Sequence, residues 1–380
     1  VALILAVGTG IGMGGAVYFS IFRAEGKPKE AREFVAGTLW LLLVSSVIMT
    51  ALALIFATPL LKLLGAQGEL LSLGEKYIFV MALGSVLQIV GTGLIPMIRN
   101  NNGAIFAMIT MCSGFLTNIF LDYLFVWVFN GGVTGAAWAT IIGEGVAMIG
   151  GIGYLLYKKQ ITFSISWKAM KRVTKSIVRI GLAPFGLALT PNFSLILINR
   201  FSASYGGEEA IAVYACVSYI LTIVYLVLQG VGDGLQPLMS QFYGAGKKED
   251  LGQANQFAYL FALLLSLLSI VLLYVFRGNI GVIFGASATV TQEVADTLII
   301  FLIAIPFIAI NRVTTASFYA TEKSTFAYLL TYIEPAAMLV LMLILPPLFG
   351  GQMMIWWSAT CARILSAVLA IILKCFARKN

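Results

Sequence analysis

The sequence contains no histidine, and only 11% of its 380 residues are charged. Histidine is the commonest metal ligand and the usual proton carrier near neutral pH, so its absence argues against a histidine-based metal centre or catalyst. The four cysteines lie in apolar stretches, which is typical of small packed residues rather than of a disulfide framework or a metal site. We therefore expect no cofactor and no resident metal.

Hydrophobic residues make up 60% of the chain, compared with about 45–50% in soluble proteins. A soluble core does not need so much apolar surface, so lipid is the expected solvent. A membrane-spanning helix needs about 20 mostly apolar residues. By this criterion the sequence predicts an all-α polytopic membrane protein whose eleven spans are 1–22, 34–60, 71–98, 103–129, 133–157, 178–200, 209–240, 253–276, 290–312, 317–347 and 352–376.

The chain also contains an internal repeat. Residues of the first copy recur at a constant spacing, that between Gly10 and Gly230, and the match extends without a gap over about 100 positions. The pairs that carry this repeat are Gly10/Gly230, Gly12/Gly232, Gly14/Gly234, Ser20/Ser240, Phe22/Phe242, Gly26/Gly246, Lys27/Lys247, Phe56/Phe276, Gly65/Gly285, Ala66/Ala286, Phe106/Phe326 and Ala107/Ala327. The glycines lie within apolar helices, so we expect them to permit close helix approach or bending rather than to bind a dinucleotide. Two related halves in a very apolar chain are typical of a transporter with its site between the repeats.

The repeat predicts two six-helix bundles related by a pseudo-twofold axis along the membrane normal. The partner of span 178–200 would lie before Val1, so we expect a parent protein of twelve helices, of which about one and a half precede the given sequence. The first lobe is assigned to 1–157 (helices 2–6), a cytoplasmic linker to 158–177 and the second lobe to 178–380 (helices 7–12).

Basic residues concentrate in alternate loops, which is the signature of a cytoplasmic face. The main clusters are Arg23, Lys27, Lys29 and Arg32; Lys158, Lys159, Lys168, Lys171, Arg172, Lys175 and Arg179; and Lys374, Arg378 and Lys379. Membrane anchoring explains the net charge of +8, so no nucleic-acid partner is expected. We expect a monomer in the bilayer of the cytoplasmic membrane, with both termini of the full chain in the cytoplasm.

Polar side chains at membrane depth lie on the two spans joined by the turn Asn130–Gly132. Ionisable groups inside a bilayer are costly and are therefore functional candidates. At 1.5 Å per residue, Asp122 and Thr140 are both about 10 Å below the outer surface, with Asn118 and Glu144 one turn deeper. The i, i+4 spacing places each pair on one helix face. The sequence thus predicts a two-rung polar ladder, with Asp122 level with Thr140 and Asn118 level with Glu144.

Low dielectric disfavours a charged carboxylate, so Asp122 could take a proton from outside or hold a monovalent cation together with amide and hydroxyl oxygens. The alternative is a hydrogen-bonded plug that fixes helix packing. In the second half, the positions equivalent to Asn118 and Asp122 are Met338 and Met342. Polar residues that only fix helix packing would be expected in both halves. Their absence from the second half therefore favours an ion-coupling role for the pair in the first half.

Glu334 and Arg363 form a second predicted cluster, because they lie at equal depth on the two arms of a hairpin. An unpaired arginine at this depth costs about 3 kcal/mol or more, so the two side chains are expected to pair. The pair is either structural or a charge switch that lines a cavity in the second half.

Four segments match a known family: Asn118–Phe125, Gly132–Thr140, Gly230–Pro237 and Tyr243–Lys247. In these segments the sequence resembles the multidrug and toxic compound extrusion (MATE) family, near its branch of DNA-damage-inducible and Staphylococcus-type drug pumps, and the similarity extends over essentially the whole chain. The resemblance implies twelve helices in two lobes around a V-shaped cavity. It also implies proton- or sodium-driven export of mostly cationic amphipathic compounds.

The family's first-lobe cation site uses an asparagine and an aspartate one turn apart on its fifth helix, which Asn118 and Asp122 match, and a threonine on its sixth, which Thr140 matches. Glu144 stands where relatives often carry glutamine, so its charge is a departure. We assign ion coupling, by H⁺ or Na⁺, to these four residues.

In another branch of the family, a glutamate and an aspartate form a second-lobe sodium site. The aligned positions here are Asn192 and Ile308, which argues against that site and favours coupling through the first lobe. The substrate cavity is assigned to Asn192, Gln236, Glu334 and Arg363.

We interpret the chain as a secondary active exporter that works by alternating access, and not as an enzyme. The nearest alternative is a flippase for lipid-linked sugars of the same superfamily, which would need several cationic residues to hold pyrophosphate. A membrane-embedded enzyme would need a catalytic set at one membrane face, such as histidine with carboxylates, and the loops carry no such set.

Overall fold

The computed structural model describes residues 1–63 and 65–379, and none of these residues forms a β-strand. The side chains of Arg378 and Lys379, which were counted with the basic face, lie outside the described part. The described residues form twelve α-helices and one short π-helix: Ala2–Ala24 (α1), Pro28–Leu63 (α2), Gly68–Leu83 (α3), Ser85–Asn100 (α4), Ala104–Asp122 (α5), the π-helix Tyr123–Val128, Gly132–Tyr157 (α6), Trp167–Tyr205 (α7), Gly207–Gly244 (α8), Lys248–Ile283 (α9), Ala288–Ala320 (α10), Ser324–Phe349 (α11) and Met353–Lys379 (α12).

Ten of these helices are long and apolar enough to cross a membrane, and the bent pair α3–α4 makes eleven spans. The predicted number is therefore confirmed, but two predicted spans differ in form. Span 71–98 is two helices at 55°. Span 290–312 continues as α10 to Ala320, because the turn before α11 lies at 321–323, where Glu322 has a φ of +58°.

The chain divides into two compact units, Val1–Ala188 and Leu189–Asn380. Helix boundaries recur between them at the offset found in the sequence, as in α2 (Pro28–Leu63) and α9 (Lys248–Ile283). The turns before these helices are alike. Gly26 and Gly246 have φ values of +74° and +69°, and the following lysine N–H donates to the carbonyl of Phe22 or Phe242 at 2.9 Å. Glycine is favoured here because a side chain strains a left-handed helix terminus.

Glycines on α1 bring helices of the first unit together. A Cβ on Gly12 would overlap the backbone of Gly93 on α4, and one on Gly10 would lie 2.9 Å from the carbonyl oxygen of Gly181 on α7. The expected close approach is therefore confirmed in this unit. In the second unit, Gly230 and Gly234 have open space where a Cβ would lie, so the repeat conserves these glycines without conserving their packing.

The predicted linker 158–177 is only partly a linker, because α7 begins at Trp167. Val173 and Ile177 are fully buried on this helix; the Val173 side chain lies against Gly37 of α2, and the backbone of Ile177 lies against Gly14 of α1. Burial of these apolar side chains stabilises a helix that begins earlier than the hydropathy pattern indicates.

Candidate functional site

Helices α5 and α6 pack closely because small residues line their contact. A Cβ on Gly143 would lie 2.8 Å from the carbonyl oxygen of Gly114 and 3.0 Å from the Cβ of Asn118. Gly143 is therefore level with Asn118. Asp122 and Thr140 each lie one helical turn nearer to the connecting turn, on the same faces of α5 and α6.

Asp122 stands where α5 changes from α-helical to π-helical hydrogen bonding. Such π segments are rare and are often found at functional sites. The Oδ1 atom of Asp122 is buried and accepts no hydrogen bond from any described residue, and the Nδ2 atom of Asn118 is buried without an acceptor there. The carboxylate oxygen without a donor suits a proton or a small cation, and the amide of Asn118 on the same helix face could contribute its oxygen, though not its Nδ2, as a ligand.

Two further polar side chains lie near the level of Asp122, Thr140 on α6 and Tyr77 on α3. Thr140 donates its hydroxyl proton to the carbonyl oxygen of Ala136 at 2.9 Å, which leaves its oxygen lone pairs to accept a donor or coordinate a cation. Tyr77 on α3 lies close enough to Asp122 for a direct Coulombic interaction. The site therefore draws on α3 as well as on the predicted helices α5 and α6.

Glu144 is near the depth of Asn118, as its sequence position requires, but its carboxylate is directed elsewhere. It lies beside the Thr92 hydroxyl on α4, and one of its oxygens lies 3.5 Å from where a Cβ on Gly91 would be. The residues of the predicted ladder thus face two neighbours: Asn118 lies at the α5–α6 contact, and Glu144 lies between α6 and α4.

The junction of α3 and α4 combines a bend in the chain with a buried polar side chain. The chain bends at Gly84, where an added Cβ would lie 2.7 Å from the Cβ of Ile141 on α6. Fully buried Gln88 donates to the carbonyl oxygen of Met81 at 2.9 Å, while its Oε1 atom accepts no hydrogen bond among the described residues. The side-chain amide thereby satisfies a carbonyl at the end of α3.

These features are specific to the first unit. Met338 and Met342, which replace Asn118 and Asp122, are both fully buried in α11. Residues 288–320, the counterpart of the bent α3–α4 pair, form the single helix α10. The second unit thus replaces a polar, bent region by apolar packing and continuous helix.

In the second unit, Glu334 of α11 and Arg363 of α12 form the expected pair. The Nε of Arg363 lies 3.5 Å from Oε1 of Glu334, and the two residues are 2% and 4% exposed. The guanidinium also lies over the rings of Tyr225 and Phe301, at 5.3 and 5.6 Å from their centroids. These aromatic faces add a cation–π contribution in a desolvated position.

Arg363 also lines a cavity of about 390 Å³, together with Asn192 and Asn199 of α7 and Tyr214 and Tyr225 of α8. Several buried polar atoms here have no hydrogen-bond partner among the described residues: Nη1 of Arg363, Oδ1 of Asn199 and the hydroxyl of Tyr225.

Of the predicted substrate residues, Asn192 and Arg363 line this cavity, and Glu334 contacts it through Arg363. Gln236 lies elsewhere. It is fully buried in α8 and donates to the Ser240 hydroxyl at 2.9 Å, which in turn bonds the carbonyl of Ala320.

Comparison with known families identifies this architecture. A sequence model of the family described as MatE matches residues 1–124 and 187–348, which is most of the chain. The chain belongs to the MatE family. The resemblance carried by the Asn118–Phe125 and Gly230–Pro237 segments is thereby confirmed at the level of family and fold, and the protein is a polytopic membrane protein of a transporter family.

Among curated MatE relatives, the multidrug export protein MepA of Staphylococcus saprophyticus is 25% identical over 378 residues, covering 98% of this chain and 82% of the relative. MepA of Staphylococcus aureus is 23% identical over 375 residues, with the same coverage.

Solved structures show the same fold. A MOP superfamily transporter from Pyrococcus furiosus, described by a binding pocket of reversed polarity, superposes with a TM-score of 0.90 at 22% identity, over 98% of this chain and 84% of that one. An outward-facing multidrug resistance MATE transporter gives a TM-score of 0.89 at 22% identity, with the same coverage.

Sequence reasoning missed Tyr77, Thr92 and Gln88. Each is a neutral polar residue within an apolar span, and none lies one helical turn from an ionisable residue, as Asn118 and Thr140 do. Gln88 and Thr92 could be found only by considering every amide and hydroxyl within the spans. Tyr77 gives no comparable signal, because tyrosine is common near membrane interfaces.

Proposed function

We propose that this MatE protein is a secondary active multidrug exporter that exchanges H⁺ or Na⁺ for cationic amphipathic compounds by alternating access. The names of its relatives, multidrug export protein MepA, support multidrug export. One observation supports the coupling role most directly: the buried Oδ1 of Asp122, which accepts no hydrogen bond from the described residues.

A buried carboxylate oxygen without a donor is unfavourable, because desolvation is not offset by a hydrogen bond. A proton or a sodium ion at Asp122 removes this penalty, with Asn118 and Thr140 as additional polar partners. Ion binding therefore stabilises one arrangement of these side chains and ion release another, as a coupled exchanger requires.

The first unit offers a route from ion occupancy to helix movement. Tyr77 lies near Asp122 on α3, which meets α4 at the 55° bend beside Gly84. Binding of an ion at Asp122 changes the polar surroundings of the Tyr77 hydroxyl. We propose that α3 tilts about Gly84 in response, and that its contact with Ile141 transmits this movement to α6.

The polar cavity that contains Asn192 and Arg363 is the proposed substrate-contacting region of the second unit. The tyrosine rings of its wall suit aromatic cationic compounds, and Glu334 offsets the charge of Arg363. A flippase for lipid-linked sugars is less compatible with this cavity, since Arg363 is the one cationic side chain among its described lining residues and it already faces a carboxylate.

The proposed setting is the cytoplasmic membrane, with a monomeric protein and with the basic loops and both termini of the full chain on the cytoplasmic side. The clusters around Lys27 and Lys171 support this orientation.

The test is transport by the purified protein in liposomes, with ethidium as the cationic probe. A proton gradient and a sodium gradient are imposed separately, each with the other ion clamped. Ethidium movement driven by one gradient identifies the coupling ion. Movement with neither gradient, or movement of a lipid-linked sugar instead of ethidium, would contradict the proposal.

A further inference from the structure

A second cavity of the second unit lies at the ends of four helices and is unrelated to the proposed ion and substrate sites. Its volume is about 820 Å³, within the range of ligand-binding sites. Its walls come from the end of α8, the first turns of α9, the end of α10 and the end of α12.

The charged residues that line this cavity are all basic: Lys248, Lys323 and Lys374. The Lys374 ammonium donates to Oδ1 of Asn255 at 3.0 Å and to the Ser317 hydroxyl at 2.6 Å, so it is held in place at the wall.

The other two lysines complete the basic wall. Lys323 donates to the carbonyl of Ala377 at 2.8 Å, and Lys248 is exposed at the N-terminus of α9. The positive end of the α9 dipole therefore adds to the lysine charges.

The nearest carboxylates along the chain are those of Glu249, Asp250 and Glu322, and none of them belongs to the described lining. Asp250 instead lies 3.6 Å from Lys247, outside the cavity. The arrangement thus concentrates positive charge on the cavity side of these helices.

The internal repeat provides a comparison within the same chain. The counterpart of Lys374 in the first unit is Tyr154, whose hydroxyl donates to the carbonyl of Asn101 at 2.9 Å and whose ring lies 4.9 Å from that of Phe106. The counterpart of Asn255 is Val35, which is 1% exposed in the hydrophobic core. At these two positions the first unit therefore carries core side chains, whereas the second unit carries a lysine and the asparagine that orients it.

The surface beside the cavity is apolar. On the following turns of α9, Phe257, Leu260 and Phe261 are 59%, 60% and 44% exposed, and Leu264 continues this surface. Soluble anions gain nothing from such a surface, whereas acyl chains would cover it. Basic pockets at the ends of transmembrane helices are suited to anionic lipid head groups.

We propose that this cavity binds the phosphate head group of an anionic phospholipid, whose acyl chains lie along α9. Lys248, Lys323 and Lys374 supply the charge, and Lys374 is oriented by Asn255 and Ser317. Binding would join the ends of α9, α10 and α12 through one ligand.

The test measures phosphatidylglycerol binding to the purified protein by native mass spectrometry and by the lipid-induced rise in melting temperature. Lys248→Gln and Lys374→Met are each expected to weaken binding about fivefold, as one lysine near a phosphate contributes about that factor. Lys62→Gln, an exposed change of equal charge in the first unit, is the matched control and should leave the affinity unchanged.

Three results would overturn the proposal. Phosphatidylcholine could stabilise the protein as well as phosphatidylglycerol, the control could weaken binding as much as Lys248→Gln, or inorganic phosphate alone could produce the full rise in melting temperature. The last result would identify a soluble-anion site. Lys248 is exposed and makes no ion pair within the described residues, so its variant remains decisive even if Lys374→Met fails to fold.

Discussion

Replacing Asp122 by asparagine tests the coupling mechanism with the smallest change in shape. The substitution keeps the side-chain size and leaves the α5–α6 contact at Gly143 intact. It removes the negative charge and the ability to bind a proton at neutral pH. If Asp122 carries the coupling ion, the variant should bind substrate but lose its response to an ion gradient.

The expected substrate concentration ratio follows from the assumption that one carboxylate carries one ion per transport cycle. Exchange of one monovalent ion for one monovalent cationic substrate is electrically neutral, so the membrane potential does not contribute. A tenfold ion gradient stores about 1.4 kcal/mol and can sustain at most a roughly tenfold substrate gradient. If Glu144 also exchanged an ion, the exchange would move one net charge, and at zero membrane potential the same gradient would sustain a roughly hundredfold accumulation.

The assay imposes a tenfold gradient of the coupling ion across proteoliposomes and measures the steady-state ethidium ratio. We expect about tenfold accumulation for the native chain and none for Asp122→Asn, which should still exchange labelled for unlabelled ethidium without a gradient. Glu69→Gln, a neutralised exposed carboxylate on α3, is the matched control and should behave as the native chain. Tenfold accumulation by Asp122→Asn would refute the reasoning.

Three further changes test neighbouring parts of the first unit. Glu144→Gln should keep the tenfold accumulation, because Glu144 is directed towards α4 and away from Asp122; a fall from hundredfold to tenfold would instead assign it a second ion. Gly143→Ala should lower the free energy of unfolding by roughly 1–3 kcal/mol through overpacking, which is measured as a lower melting temperature. Gly153→Ala on the same helix has open space for the added Cβ and should leave the melting temperature unchanged. Equal decreases in melting temperature for the two variants would contradict the packing argument. Gly84→Ala should lower the melting temperature and slow efflux, and adding Ile141→Ala should restore the melting temperature; full recovery of efflux as well would argue against a hinge at Gly84.

The number of spans could be read from the sequence because apolar length alone decides whether a helix can cross a bilayer. The family was recognisable for a different reason, since the Asn118–Phe125 and Gly230–Pro237 segments have a specific pattern. The pairing of Glu334 with Arg363 was predictable because an unpaired arginine is too costly at that depth.

The direction of individual side chains was not predictable in the same way. Glu144 and Asn118 share a depth, but a helix turns by about 100° per residue, so a shift of one position from Gly143 directs Glu144 towards Thr92 on α4. The bend at Gly84 was hidden because hydropathy continues unchanged across it.

The sequence by itself determined the solvent, the number of spans, the repeat and the candidate carboxylate Asp122, because these depend on composition and on spacing along the chain. Only the tertiary structure decided which neighbours complete each site. Tyr77 beside Asp122, Thr92 beside Glu144 and the lysines around the basic cavity come from helices far apart in sequence. In the first unit, small residues such as Gly12 and Gly143 let particular helices approach, and spacing along the chain does not specify that three-dimensional packing.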